Sequence, residues 1–202
     1  ASTHPNPEEK ARNQALVNFL IPIVKGWNTE QANEITSLGV QVHGGMGFIE
    51  ETGAAQYYRA ARITAIYEGT TGIQALDLLG RKLASENGAT ARAVLAEVKA
   101  VAARLADAGP ELQAFQAALN IAVDQASSCV DFVLAHFASN PRLPAAGSVP
   151  FLKLMGIVLG GWQMARAALA AQAKLAEDGA DVDFLTAKLI TARFYGEHLL
   201  PQ

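Results

Sequence analysis

Apolar positions recur every three to four residues along almost the whole chain, and the alternation of a half-buried strand is nearly absent. The pattern predicts an all-α protein. After a polar, Pro-containing start over residues 1–7, Glu8 and Glu9 suit a first helical turn, where carboxylates favour the helix dipole. Ala15, Leu16, Phe19, Leu20 and Ile23 form the first apolar stripe, and Pro22 inside it predicts a kink or a division. Asn28 followed by Gln31 reads as a capping box that opens a second helix through Ile35, Leu38 and Val42, ended by Gly44, Gly45 and Gly47. A short helix over about 53–62 brings Tyr57, Tyr58 and Arg62 near one another. Thr71 and Gln74 give another capping-box signature, for a helix running to about Leu83.

The polar stretch 84–90, with Asn87-Gly88 inside it, is the predicted boundary between a first domain, 1–84, and a second, 85–202. The second half turns Ala-rich. Leu95, Val98, Val101 and Leu105 define one helix, ended near Gly109-Pro110, and Leu112 through Phe137 support a long second one. Residues 140–150, with three prolines, read as a linker into a third helix over about 151–177, where Gly156 and Gly160 permit close packing. Asp181 or Asp183 caps a final helix carrying Leu185, Leu189, Ala192 and Leu199. Four such helices suggest an antiparallel bundle.

Composition narrows the function classes. Half of the 202 residues are hydrophobic and 17% are charged, which favours a large buried helical surface over disorder. A net charge of −3 gives no general attraction to nucleic acid or to an anionic membrane. The longest apolar run, 149–162, is interrupted by Lys153 and is too short to span a bilayer. One cysteine, Cys129, excludes an internal disulfide framework and fits a reducing cytoplasm. His4, His43, His136 and His198 lack metal-ligand spacing, so no metal site is expected. Ser127, Ser128, Cys129 and Asp131 read as a helix with one buried thiol rather than a hydrolase site, and Trp27 and Trp162 as packing residues.

Chemistry concentrates in residues 41–74, QVHGGMGFIEETGAAQYYRAARITAIYEGTTGIQ. Read locally, Glu68 is a solvated carboxylate ahead of a helix N-terminus, Gly44-Gly45 is a helix stop, and Thr70, Thr71 and Gly72 are capping residues. No strand precedes the glycines and the third glycine of a dinucleotide fingerprint is missing. Taken together, however, Gln41-Val42-His43-Gly44-Gly45, Ala61-Arg62-Ile63 and Tyr67-Glu68-Gly69-Thr70 closely resemble the C-terminal helical domain of the acyl-CoA dehydrogenases. These are flavoenzymes that oxidise the α,β bond of acyl-CoA thioesters, and the likeness is dense from Gly39 to Leu83.

The resemblance implies a role for each motif. Glu68 is expected to be the base that removes the α-proton while the β-hydrogen leaves as hydride to FAD. The backbone of the base and of Gly69 would lie against the thioester. Gln41, Val42, His43, Gly44 and Gly45 are expected to approach FAD bound mainly by a neighbouring subunit, and Thr70, Thr71 and Gly72 to hold FAD as well. It further implies an acyl-CoA substrate, electron-transfer flavoprotein or a similar acceptor, and a homodimer. Two departures stand out. Arg59-Ala60-Ala61 stands where the family often has Arg-Asp-Ala, so a supporting ion pair is expected to be absent, and Gly72 replaces a common glutamate. The Val-His-Gly-Gly-Met-Gly and Glu-Glu-Thr-Gly-Ala-Ala wording looks closest to the 3-methylmercaptopropionyl-CoA dehydrogenase-like branch, and residues 192–201 resemble the end of its C-terminal extension. The alternative is a non-catalytic helical oligomerisation or scaffold module derived from the same fold.

Overall fold

The computed structural model describes Thr3 and residues 5–202; Ala1, Ser2 and His4 lie outside the described residues. The chain is 84% helical, and no strand occurs among the described residues. Two compact units form: one from Ala1–Thr90 with His136–Lys153, the other from Ala91–Ala135 with Leu154–Gln202.

In the first unit, helix α1 (Pro7–Val42) is one continuous element of 36 residues, where the sequence suggested two. Asn6 caps it by accepting from the backbone N–H of Glu8 and Glu9. Pro22 lies buried inside α1 and does not divide it. The capping box at Asn28 is not formed either, because nearby polar side chains turn back on the helix. Thr29 Oγ1 donates to the Lys25 carbonyl, Asn33 Nδ2 to that of Thr29, and Thr36 Oγ1 to that of Ala32.

Helices α2 (Gly45–Phe48), α3 (Ala54–Thr64) and α4 (Thr71–Asp77) follow, and α3, α4 and the turn after them pack against α1. That turn, Leu78–Leu83, is π-helical. Its wider i→i+5 spacing puts Leu78, Leu79 and Leu83 together into the core with Phe19 and Ile23. Gly26 admits Leu152: a Cβ there would lie 2.8 Å from Leu152 Cδ1. Asn87 and Gly88, both left-handed, end the segment, and Gly88 N–H donates to the Leu83 carbonyl at 2.9 Å. The stretch read as a linker is itself helical. Helix α7 (Arg142–Ala146) buries Pro144, and Pro150 falls in the first turn of α8 (Ser148–Leu175), where no backbone N–H is needed.

The other unit holds α5 (Ala89–Leu105) from Ala91, most of α6 (Gln113–Phe137), α8 from Leu154, and α9 (Val182–Phe194). Arg92–Asp131 and Lys99–Asp124 ion pairs, at 2.8 and 2.9 Å, fix α5 and α6 antiparallel. Asp181, not Asp183, caps α9 by accepting from Phe184 N–H. Val98, Leu105, Phe115, Leu119, Met155 and Val158 form the fully buried centre. Gly160 and Gly161 let the last turn approach α8. A Cβ on Gly160 would meet the Tyr195 hydroxyl, and one on Gly161 would lie 2.9 Å from Leu200. By length and composition α6, with the turn before it, and α8 could cross a membrane, but half of the most apolar window of α8 is spent on the core.

Candidate functional site

Helix α3 ends at Thr64 and α4 begins at Thr71, so residues 65–70 reverse the chain. Glu68 sits at the tip with φ 55°, and Gly69 follows with φ 88°. A left-handed residue other than glycine costs about 1–2 kcal/mol, and such strain persists only where the surroundings fix it. Two side chains do so. Gln74 Nε2 donates to the Glu68 carbonyl at 3.0 Å, and Lys25 Nζ, from α1, donates to the Gly69 carbonyl at 2.7 Å. The same ammonium stands 5.8 Å from the Tyr67 ring centroid. The Glu68 side chain is exposed, so the desolvated setting that a thioester base needs is not supplied by these residues alone.

The capping box expected at Thr71 and Gln74 does not form. Thr70 is the N-cap, with extended backbone, which makes Thr71 the first helical residue. Thr71 Oγ1 instead donates to the Glu30 carboxylate on α1, and Gln74 is taken by Glu68. Thr70, Thr71 and Gly72 line a groove of about 400 Å³ with Glu30, Asn33, Tyr58 and Arg62. Asn33 donates to Thr29, while its buried Oδ1 has no donor. A Cβ on Gly72 would meet nothing within 4 Å.

At the far end of α1, Gly44 takes φ 60° and ends the helix, with His43 Nδ1 2.9 Å from the Gly39 carbonyl. Gln41, Val42, His43, Gly44 and Gly45 are all exposed, Val42 to 85%. The glycines differ in purpose. Gly47 is required internally, since a Cβ would collide with the Val40 carbonyl, whereas Gly39 and Gly45 face open space. A second groove, of about 1010 Å³, is walled by Val40, Phe48 and Ile49 on this side and by Tyr58, Arg62 and Ile66 on the other. Arg59 also borders it, and is not without a partner. It donates to Glu50 through Nη1 at 2.7 Å and Nη2 at 3.2 Å, and the guanidinium holds the Glu50 carboxyl below the usual range.

The predicted residues fall into two groups. Thr71 meets Glu30, and Val42 lies 12 residues farther along α1, which at 1.5 Å per residue is about 18 Å. Thr70–Gly72 and the Gln41–Gly45 turn are therefore set apart along α1, although the two grooves share Tyr58, Arg62 and Ile66. Sequence reasoning missed Lys25, Glu30 and Asn33. Lys25 carried one signal, being the lone charge in an apolar helical stretch, Phe19 to Trp27. Among the described residues no cluster of metal-ligating side chains occurs.

Residues 94–202 match the family described as acetyl-CoA dehydrogenase C-terminal like, and residues 8–84 match acyl-CoA dehydrogenase, C-terminal domain. This chain belongs to the acyl-CoA dehydrogenase family. It is 48% identical to the 3-methylmercaptopropionyl-CoA dehydrogenase of Ruegeria pomeroyi, over 98% of this chain and 33% of that protein. It is 31% identical to the broad-specificity linear acyl-CoA dehydrogenase FadE5 of Mycobacterium tuberculosis, over 91% of this chain and 31% of that protein. A butyryl-CoA dehydrogenase of Syntrophomonas wolfei is 31% identical over 96% of this chain and 32% of its own length. The chain thus spans about a third of the length of these relatives, in the helical C-terminal domains of the acyl-CoA dehydrogenase family.

Proposed function

We propose that this chain is the C-terminal helical part of an FAD-dependent acyl-CoA dehydrogenase in which Glu68 removes the α-proton of an acyl-CoA thioester. The observation that carries the reading is the Glu68 backbone, a strained left-handed residue with its own carbonyl and the next one both held by side chains. A backbone held in this way fixes the direction in which the Glu68 side chain leaves the loop, and a general base needs a fixed mounting. The α-hydrogen of a thioester is a weak acid, so the base works only once water is excluded, by the acyl chain and by polypeptide beyond these residues. Gly69, next to the base, is the proposed substrate contact.

Two groups of residues would hold FAD: Thr70, Thr71 and Gly72 at one place, and Gln41, Val42, His43, Gly44 and Gly45 at the other. When bound, FAD supplies the acceptor for the β-hydrogen as hydride. The residues fit such a group. Gly45 and Gly72 have no internal steric reason to be glycine, and each leaves open the space that a Cβ would fill. Their separation of about 18 Å is consistent with contact to two cofactors, one bound mainly by a second subunit. The exposed stripe Val17, Ile21, Val24, Ile35, Leu38 and Val42 along α1 supports burial against further polypeptide, from the rest of the enzyme or a second copy. A homodimer, electron-transfer flavoprotein or a similar acceptor, and a cytoplasmic setting complete the reading.

The test is Glu68→Gln in the complete enzyme, mixed anaerobically with acyl-CoA. Flavin bleaching should slow by about a thousandfold or more, with FAD content and helicity kept, because an amide accepts no proton. Bleaching at a near-normal rate would remove Glu68 from the role of base.

A further inference from the structure

We propose that Lys25 is a positioning residue for Glu68, an inference that rests on the reading of Glu68 as the base. Lys25 lies on α1, 44 residues before the carbonyl it meets, and it is part-buried. Among the described residues no carboxylate lies within ion-pair distance of Lys25, so the Gly69 carbonyl is the acceptor its ammonium takes. It spends a proton on the Gly69 carbonyl and sets its charge toward the Tyr67 ring, so it contacts the residues on both sides of Glu68. Neither contact is needed to end α3 or to start α4. Helix α3 closes through Ile66 N–H and Tyr67 N–H on the Ile63 carbonyl, and α4 opens with Gln74 N–H on the Thr70 carbonyl.

What the strap does follows from peptide geometry. A trans peptide points its C=O and N–H in opposite directions. Holding the Gly69 carbonyl toward α1 therefore turns the Thr70 N–H away from Lys25. Gln74 fixes the neighbouring peptide through the Glu68 carbonyl. With both planes set, the torsions that flank Gly69 are no longer free, although glycine would otherwise visit many conformations. The space around it is also filled: a Cβ on Gly69 would lie 3.1 Å from Gln74 Nε2 and 3.2 Å from Ile73 Cγ2. Gln74 is local to the loop and Thr71 meets Glu30 only at the start of α4, so Lys25 is the strap that ties the backbone beside Glu68 to the long helix.

The variants are Lys25→Met, which keeps length without a donor, and Lys25→Arg, which keeps a donor. In this chain, amide hydrogen exchange across 66–72 should quicken about tenfold in Lys25→Met while α5 and α6 stay protected. In the complete enzyme, kcat should fall about 10- to 100-fold with KM within about twofold, and Lys25→Arg should recover most of the loss. Unchanged exchange in the loop, or a Lys25→Arg variant as impaired as Lys25→Met, overturns the inference. Should Lys25→Met not fold, Lys25→Gln is read the same way, since its shorter side chain does not reach Gly69. The two ideas fail separately. An active Glu68→Gln enzyme removes the base reading while the exchange result still decides the strap, and an inert Glu68→Gln enzyme beside an unaffected Lys25→Met removes only the strap.

Discussion

Replacing Glu68 by glycine should leave the protein as stable as before or more so, and catalytically dead. The left-handed conformation of Glu68, at φ 55°, carries about 1–2 kcal/mol of strain that glycine does not feel. Glycine also loses more freedom on folding, which offsets about 0.4–1 kcal/mol of that gain. The net expectation is a stabilisation of about 0–1.6 kcal/mol. Glu68→Gln keeps the Cβ and the strain, so its stability should match the parent within about 0.5 kcal/mol. The exposed side chain leaves little else to lose. Urea unfolding of this chain followed by circular dichroism measures the three stabilities, and flavin reduction by acyl-CoA in the complete enzyme measures the activity. A Glu68→Gly protein destabilised by more than about 1 kcal/mol would refute the reasoning, because the side chain would then be holding the loop rather than being held by it.

Three further outcomes are expected. Gly160→Ala should cost about 1–3 kcal/mol by overpacking, since its Cβ would meet the Tyr195 hydroxyl and lie 2.9 Å from Cζ; adding Tyr195→Phe should recover part of the loss, and strict additivity in a double-mutant cycle would contradict the contact. Burial pushes the Tyr195 phenol up to about 12, with its hydroxyl on the Ile157 carbonyl. The unfolded phenol ionises from about pH 10 while the folded one stays neutral. Stability is therefore complete below that pH and falls as pH rises toward 12, a loss that Tyr195→Phe should abolish in urea titrations at several alkaline pH values. The complete enzyme should scatter light as a two-fold dimer, and a fully active monomer would contradict a cofactor site shared between subunits.

Legibility in the sequence followed physical scale. Helical periodicity is a property of many residues at once, so the all-α class, the buried stripe of α6 and the helix stop at Gly44 were readable. Single-residue signals were not. Pro22 forfeits one hydrogen bond yet sits in a buried position on a helix long enough to tolerate it. Asn28 and Thr71 had capping chemistry, but the backbone was already helical at both, and Thr71 found a carboxylate on another element. The prolines of 140–150 served a short helix and a first turn instead of a linker. At the candidate site, the motif singled out Glu68, the two threonines and the glycine pair by resemblance. The long-range partners Lys25 and Glu30 could not be read, because their significance lies in a contact more than forty residues away.

Helix α1 also acts as a lever. Pro22, inside the helix, has no N–H to give to the hydrogen-bond ladder, and so is a natural pivot for any change of bend. Lys25 and Glu30 sit within roughly 12 Å of that pivot, while His43 sits about 30 Å beyond it. A rotation of about 5° at Pro22 would move the Glu30 contact by roughly 1 Å and swing the glycine turn by roughly 2.6 Å. The loop that carries Glu68 is thus mounted near the fulcrum and the Gln41–Gly45 turn at the tip. A bend that moves the loop carrying Glu68 by roughly 1 Å is thus amplified more than twofold where this chain reaches out toward its surroundings.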